Sequence, residues 1–531
     1  MSLFSRSAAR CSSSYSSSSA RVWSNQSGHR GAYARCWSNN VNGSAAGVEP
    51  FLSSSRRCVT TTRRDISRYT IVQTRFSSSS LSSSFFTARL GSLSGAQLPA
   101  ASNSISRSAS TMSGPYAKYA AVVVGAGPAG VTCVGNLLER KVEPILWVDP
   151  SFNGGRVNEK YREVPSNTRV ALFIDFATAV APFRKIVSSV PSRSRWEEPS
   201  ESDGVAVSDT PDKLQQLRQL EQGKGCDLSY AADMIVMLTE GLKRTPGVIT
   251  QQGRVEEAIL DEQTGDWTVR MKIETPAKGD ITNVQAKRLV LCTGSSPITA
   301  PLPADVGGVQ YLDLDAALSP TLLSQLLSPL GPTTVSVVGA SHSAILVLRN
   351  LYNIASSNKP DLKIKWFTRH GLRYAEFMDG WILRDNTGLK GEVAVWAKAN
   401  LEPEVFSKSE VSKYIEAVAY DRGTEKETFE QHMPGSDFVV QAIGYSRDPI
   451  PALRTTDGKE ITPHYDHENG SFNYVKESEC GSIGDLAKVP GLYGAGIAYP
   501  ERVVDPHGNV EYAVGFFKFM KYVKKVSPAW N

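Results

Sequence analysis

The 531-residue chain has no run of 18 apolar residues, so no segment reads as a membrane-spanning helix. Cysteine is scarce, with seven scattered along the chain: Cys11, Cys36, Cys58, Cys133, Cys226, Cys292 and Cys480. None forms C-x-x-C or a metal-like cluster. That argues for a reduced, metal-free body. Acidic residues are missing from one region. Residues 1–115 hold 13 Arg, no Lys and two acids, Glu49 and Asp65, amid Ser runs such as Ser77–Ser80. Removing these from the chain's 58 basic and 53 acidic residues leaves 45 and 51, a formal charge of −6 in place of +5. The basic balance belongs to this leader, so it gives no argument for a nucleic-acid partner. An Arg-rich, Ser-rich, acid-poor leader has the composition of an organelle transit peptide and is predicted to be disordered. Mitochondrial localisation is the expectation. The alternative is an upstream extension of a cytoplasmic protein starting near Met112.

Beyond the leader, the chain is rich in glycine turns between apolar runs. Val122-Val123-Val124 leads into Gly125-Ala126-Gly127-Pro128-Ala129-Gly130, with an amphipathic helix predicted over Val131 to Arg140. Strand, G-x-G-x-x-G and helix make a phosphate-approach turn. Gly125 allows the reversal, Gly127 the close approach of backbone to a pyrophosphate, and Gly130 the helix–strand contact. The next apolar run, Ile145 to Val148, ends in Asp149, placed to accept from ribose hydroxyls. Gly154, Gly155 and Arg156 form a second anion-approach loop, which suits a flavin dinucleotide. The bland alternative is a glycine-rich turn with no ligand.

Residues from about Ser188 to Gly225 are polar and read as a surface insertion. Ser229 to Arg244 has helical spacing. Val248–Ile249, Arg254 to Leu260 and Trp267 to Ile273 alternate like a meander, with Val255 a candidate cofactor contact. The strand Arg288 to Cys292 breaks at Thr293-Gly294 and stops at Pro297, an exit that lets backbone pass close to a cofactor.

A second strand–turn–helix begins at Val335 and reads Gly339-Ala340-Ser341-His342-Ser343-Ala344, with helix over Ile345 to Asn350. Its next strand, Leu362 to Thr368, ends in Arg369, with His370 and Arg373 behind it. Arginine at that place pairs with a 2′-phosphate, which points to NADPH over NADH; an exposed strand-end cation is the alternative. His342 is either a phosphate contact or a helix-start residue. Residues 374–391 read as a lid over nicotinamide or as a self-packed loop, and His507 as a surface turn before a helix over Tyr512 to Lys524. The stripe Phe516, Phe517, Phe519, Met520 and Tyr522 reads as core or interface packing.

On these turns the chain resembles the flavoproteins with two dinucleotide-binding domains, which include glutathione-reductase-like enzymes, flavin-containing and Baeyer–Villiger monooxygenases, and amino-acid N-hydroxylases. Val439 to Gly444-Tyr445 is similar to the A-T-G-Y strand end of the monooxygenase branches, and Pro490 to Gly496 to the last FAD-binding strand. There is no cysteine pair like that of the disulfide reductases, and Ile497 stands where their Gly-Asp ends. The F-x-G-x-x-x-H motif of the first two monooxygenase groups is missing too. The resemblance implies an α/β chain of two Rossmann-like dinucleotide-binding domains, an FAD domain interrupted by an NADPH domain. The expected division is a leader over 1–115, an FAD domain over 116–330 and 446–531, and an NADPH domain over 331–445. It also implies FAD and NADPH as cofactors and, as function, an external monooxygenase acting on a small organic substrate. The alternatives are a dehydrogenase passing electrons to a quinone or other small acceptor, and a nucleotide-binding regulator without chemistry. A homodimer is left open.

Overall fold

A computed structural model describes residues 117–189, 213–274, 281–475 and 486–530. The leader and much of the polar stretch 188–225 lie outside them. The Val-rich run Ala121–Val124 (β1) is nearly buried on both faces, as a central parallel strand must be. Pro128–Glu139 (α1) starts with Pro128 in its first turn, where a missing N–H costs nothing. Then come Ile145–Asp149 (β2), Leu228–Lys243 (α2) and Val248–Leu260 (β3). As far as Gln252, β3 pairs parallel with β2; from Gly253 it pairs antiparallel with Trp267–Ile273 (β4), which pairs with Ile281–Ala286 (β5). Leu289–Leu291 (β6) returns to the other side of β1.

The chain then leaves this sheet through Ser295–Pro297 (β7). Thr333–Val338 (β8), His342–Ser357 (α3), Leu362–Thr368 (β9), Gly391–Asn400 (α4), Ile415–Ala419 (β10) and Phe438–Gln441 (β11) build a second, all-parallel sheet. Its order is β10-β9-β8-β11, with Gln310–Tyr311 on the outer edge of β11. Tyr445–Arg447 (β12) comes back antiparallel to β7, so entry and exit of the inserted unit run side by side. Leu486–Gly494 (β13) pairs with β6 and completes a parallel layer β3-β2-β1-β6-β13. Glu501–Val504 (β14) and Val510–Ala513 (β15) form a hairpin, and Phe516–Val526 (α5) follows.

Each sheet has its own core. Val123, Trp147 and Val290 face α1, α2 and α5, while their neighbours Val122, Leu146 and Leu291 face the meander. Val335, Val337, Ile364 and Trp366 pack with Ile345, Leu348 and Leu351 of α3. The aromatic stripe of α5 is core: Phe519, Met520 and Tyr522 are buried, and Phe516 lies edge-on to Phe173.

Three expectations are corrected. The inserted unit starts well before residue 331, because Gln310–Tyr311 joins its sheet and Leu314, Leu318, Leu323 and Leu327 lie in its core. The polar stretch is not all surface, because helix Lys213–Gln219 buries Leu214 and Leu217 against the first core. The last helix begins at Phe516 rather than Tyr512. Residues 510–513 alternate exposed and buried, a period of two that pairs them with β14, and Gly515 at φ 143° breaks the chain before the helix.

Candidate functional site

Four segments meet at the first glycine turn. Gly125 has φ 104°, and a Cβ there would stand 2.4 Å from the Cys292 carbonyl oxygen at the end of β6. A Cβ on Gly130 would stand 1.9 Å from the Gly125 oxygen, so α1 sits flush on the turn. Gly127 caps α1 without a side chain, with Pro128 next, leaving the helix end open to an anion. Gly154 (φ 87°) and Gly155 (φ 69°) bring the second loop against it; a Cβ on Gly155 would be 3.1 Å from Gly127 Cα. From the far end of the chain, Gly496 (φ 92°) packs over Ala129, where a Cβ would be 2.5 Å from the alanine's own. Side chains on these glycines would fill the cradle. Together with the uncapped helix end, that fits a dinucleotide pyrophosphate.

Asp149 closes the cradle. Its Oδ2 accepts from the Ala126 N–H at 2.7 Å, and its Oδ1 accepts from Ser151 N (2.8 Å) and Phe152 N (2.7 Å). Thr293 and Gly294 (φ 84°) follow β6 at the same end of the sheet. Nearby, Ser295 Oγ is buried with no hydrogen-bond partner among the described residues. Val255 lies on β3, three residues past Gln252, the partner of Asp149 in the sheet. Arg156 is drawn elsewhere. Its guanidinium pairs with buried Asp315, which also accepts from Tyr161 Oη at 2.8 Å, and donates to Ser296 Oγ at 3.3 Å. A phosphate contact through Arg156 needs that pair to open.

The second turn repeats the first. Gly339 has φ 129°, and a Cβ there would be 2.6 Å from the Ala442 oxygen past β11. Ser341 caps α3, accepting from Ala344 N at 3.3 Å and donating to the Ala442 oxygen at 3.1 Å. Ala344 lies under Gly339, its Cβ 3.7 Å from a Cβ built there. Arg369 is exposed just beyond β9 and has no ion-pair partner among the described residues, so its guanidinium is free for a phosphate. Gly444 (φ 128°) stands apart, turning the chain into β12. His342 is the first residue of α3, and its Nδ1 is buried without a partner among the described residues. Burial first, then Arg349 and Lys390, push its pKa down to about 4, so the ring is neutral.

Sequence reading missed three things here. Trp147 Nε1 donates to the Gly125 oxygen at 2.9 Å, and Trp366 Nε1 donates to the Gly339 oxygen at 2.8 Å. A Trp in the strand after each turn was the available signal. Cys133 and Cys292, 159 residues apart, bring their Sγ atoms to 3.6 Å beside the first turn. Both are buried, and burial together with the neighbouring thiol pushes the Cys133 thiol well up. A thiol held protonated out of solvent, as Cys133 is, is a poor nucleophile. The third is a polar cluster joining residues 385–390 to the C-terminal hairpin.

The family model described as pyridine nucleotide-disulphide oxidoreductase matches residues 119–347, which span both turns. The chain is 49% identical over 420 residues to Monooxygenase AgnR1 of Paecilomyces divaricatus, covering 79% of this chain and 99% of that one. Among solved structures it matches the ornithine hydroxylase of Pseudomonas aeruginosa at 12% identity and a TM-score of 0.48, covering 78% of this chain and 98% of that one. It also matches the ornithine N-hydroxylase of Kutzneria sp. 744 at 14% identity and a TM-score of 0.45, covering 78% and 99%.

Proposed function

The chain belongs to the flavoproteins with two dinucleotide-binding domains, in one family with the Paecilomyces monooxygenase, and from that premise we propose an FAD-dependent, NADPH-linked monooxygenase acting on a small organic substrate. One observation carries the assignment of two cofactors. The same turn occurs twice in one body, once followed by an acid and once by an exposed arginine. When both are bound, NADPH supplies electrons to FAD, and reduced FAD supplies them to oxygen. The chain's own contribution is placement. Gly125, Gly127 and Gly155 admit one pyrophosphate and Asp149 orients its ribose. Gly339 and Ser341 shape the second turn, and Arg369 offers a charge to a 2′-phosphate.

The test is anaerobic mixing of the purified yellow protein with NADPH or NADH, followed by air and substrate. Bleaching by NADPH and transfer of one atom of labelled oxygen to product are expected. A protein reduced by NADPH that reoxidises only with a quinone, without labelled product, would be a dehydrogenase. A protein that does not bleach would be a regulator.

For location, the leader's composition supports import into mitochondria, and a leader-fused fluorescent protein that stays in the cytoplasm would refute it.

A further inference from the structure

Residues 374–389 leave the second unit as a closed excursion. Its feet are tied by Leu389 N donating to the Arg373 oxygen (2.8 Å) and Ala375 N to the Leu389 oxygen (3.0 Å), and Leu389 is buried in the second core. Within it, Arg384 adopts φ 56° and clasps Glu376 at 2.6 Å, while Gly388 N donates to the Arg384 oxygen at 2.8 Å. These bonds brace the loop at its feet and around Arg384.

The far side of the excursion is held by the first unit. Glu511 of β15 is only 7% exposed, and both its carboxylate oxygens are spent on this loop. Oε2 accepts from Asn386 N (3.0 Å) and Asn386 Nδ2 (3.2 Å), and Oε1 accepts from Thr387 Oγ1. Lys518 of α5 pairs with Asp385 at 2.7 Å and donates to Asn386 Oδ1, and Lys390 closes on Asp385 from the other side. Two acids and two lysines make a neutral quartet across the join, and Trp381 lies edge-on to His507 at 4.9 Å. Glu511 is the buried member, and a buried carboxylate is costly if left unpaired, so it holds its loop partners in place more than it stabilises the fold.

Both ends of the quartet lead to a nucleotide turn. Helix α5 packs on α1, with Asn136 Nδ2 donating to Met520 Sδ at 3.3 Å. The uncapped end of α1 is the first cradle. On the other side, Leu389, next to Lys390, lies in the second core with Ile345 of α3. A path of packed elements therefore runs from Gly127 through α1, α5 and the quartet to the core around α3.

We propose that Glu511 and Lys518 are positioning residues, latching residues 385–390 of the NADPH unit onto the FAD unit and so setting nicotinamide against flavin. The proposal rests on the two-cofactor reading above. It is tested on the full chain by amide hydrogen exchange at residues 384–389, beside the rate of anaerobic flavin reduction across NADPH concentrations. Glu511→Gln, Lys518→Met and Asn386→Ala are compared with the parent and with Lys518→Arg, which keeps the charge. Exchange at the loop is expected to quicken about tenfold or more in the first three. Their maximal reduction rate should fall about 10- to 100-fold, the scale of a small misplacement of reacting groups. The NADPH concentration giving half that rate should stay within about threefold, since the turn itself is untouched. Lys518→Arg should recover most of the rate. Unchanged exchange would overturn the latch, and faster exchange with an unchanged reduction rate would overturn the positioning role. Asn386→Ala, on a loop rather than in the core, keeps the test open if the Glu511 variant fails to fold. A chain that binds no flavin would defeat the two-cofactor reading, while the exchange comparison would still decide the latch.

Discussion

The two nucleotide-binding units share a turn and part company at its edges. In each, a buried β-branched strand ends in a glycine of positive φ pressed against the carbonyl of a neighbouring strand's exit, and a Trp from the next strand donates to that glycine's oxygen. The sixth position differs. Gly130 leaves no room for a methyl group, while Ala344 already carries one. The helix start differs too: Gly127 leaves it open, and Ser341 caps it. So does the end of the second strand, where Asp149 is held by three backbone N–H groups and Arg369 lies exposed. One scaffold thus accommodates two ligands, with the difference carried by a few positions rather than by the fold.

The sharpest break should come from exchanging the sixth position. Gly130→Ala puts a methyl carbon where the Gly125 oxygen stands, and should cost about 3 kcal/mol or more and strip the flavin, whereas Ala344→Gly should cost about 1 kcal/mol. Denaturant melts and flavin content of both variants check this, and equal effects would end the contrast. Next in size is acid sensitivity confined to the second unit. With its folded pKa near 4 against an unfolded value of 6.5, His342 is a group the unfolded chain protonates first. The stability it contributes is therefore complete above about pH 6.5 and is lost as pH falls towards 4, by up to about 3 kcal/mol. Unfolding of parent and His342→Leu across that window measures it, and parallel curves would count against it.

Arg369→Ala should then raise the NADPH KM about 10- to 100-fold with NADH use unchanged, the loss of a charge-assisted hydrogen bond. An equal loss with both nucleotides would remove arginine as the discriminator. The smallest effect tests what the units have in common. Trp147→Phe and Trp366→Phe should each cost about 1 kcal/mol, because each removes one buried hydrogen bond to a turn glycine. A neutral result at either would show that the two turns are braced differently.

What could be read from the chain was local in sequence. Gly125 to Gly130, Asp149 and Gly339 to Arg369 carry their meaning within one strand–turn–helix, so their spacing alone exposes them. The meander from Val248 to Ile273 was legible because its faces alternate. What was missed depends on distant partners. Cys133 meets Cys292, and Glu511 meets Asn386 across 125 residues, with no local trace of either. Gln310–Tyr311 could be assigned to the inserted unit only once Phe438–Val439 lay beside it. Tyr512 looked helical beside the aromatic stripe of α5, yet strand pairing with Arg502 claimed it.

The last strand of the first sheet has a consequence for how the chain is made. Leu492 of β13 pairs with Leu289 of β6, with the whole inserted unit between them. At ribosomal speeds of about 5–20 residues per second, β6 waits on the order of 10–40 s for its partner. The inserted unit, whose β8, β9 and β11 are complete within that interval, should be protease-resistant in nascent chains extending roughly 40 residues beyond β11, while β1 and β6 remain cleavable. The inserted module would then be born first, and the module around it, though begun earlier, would be finished last.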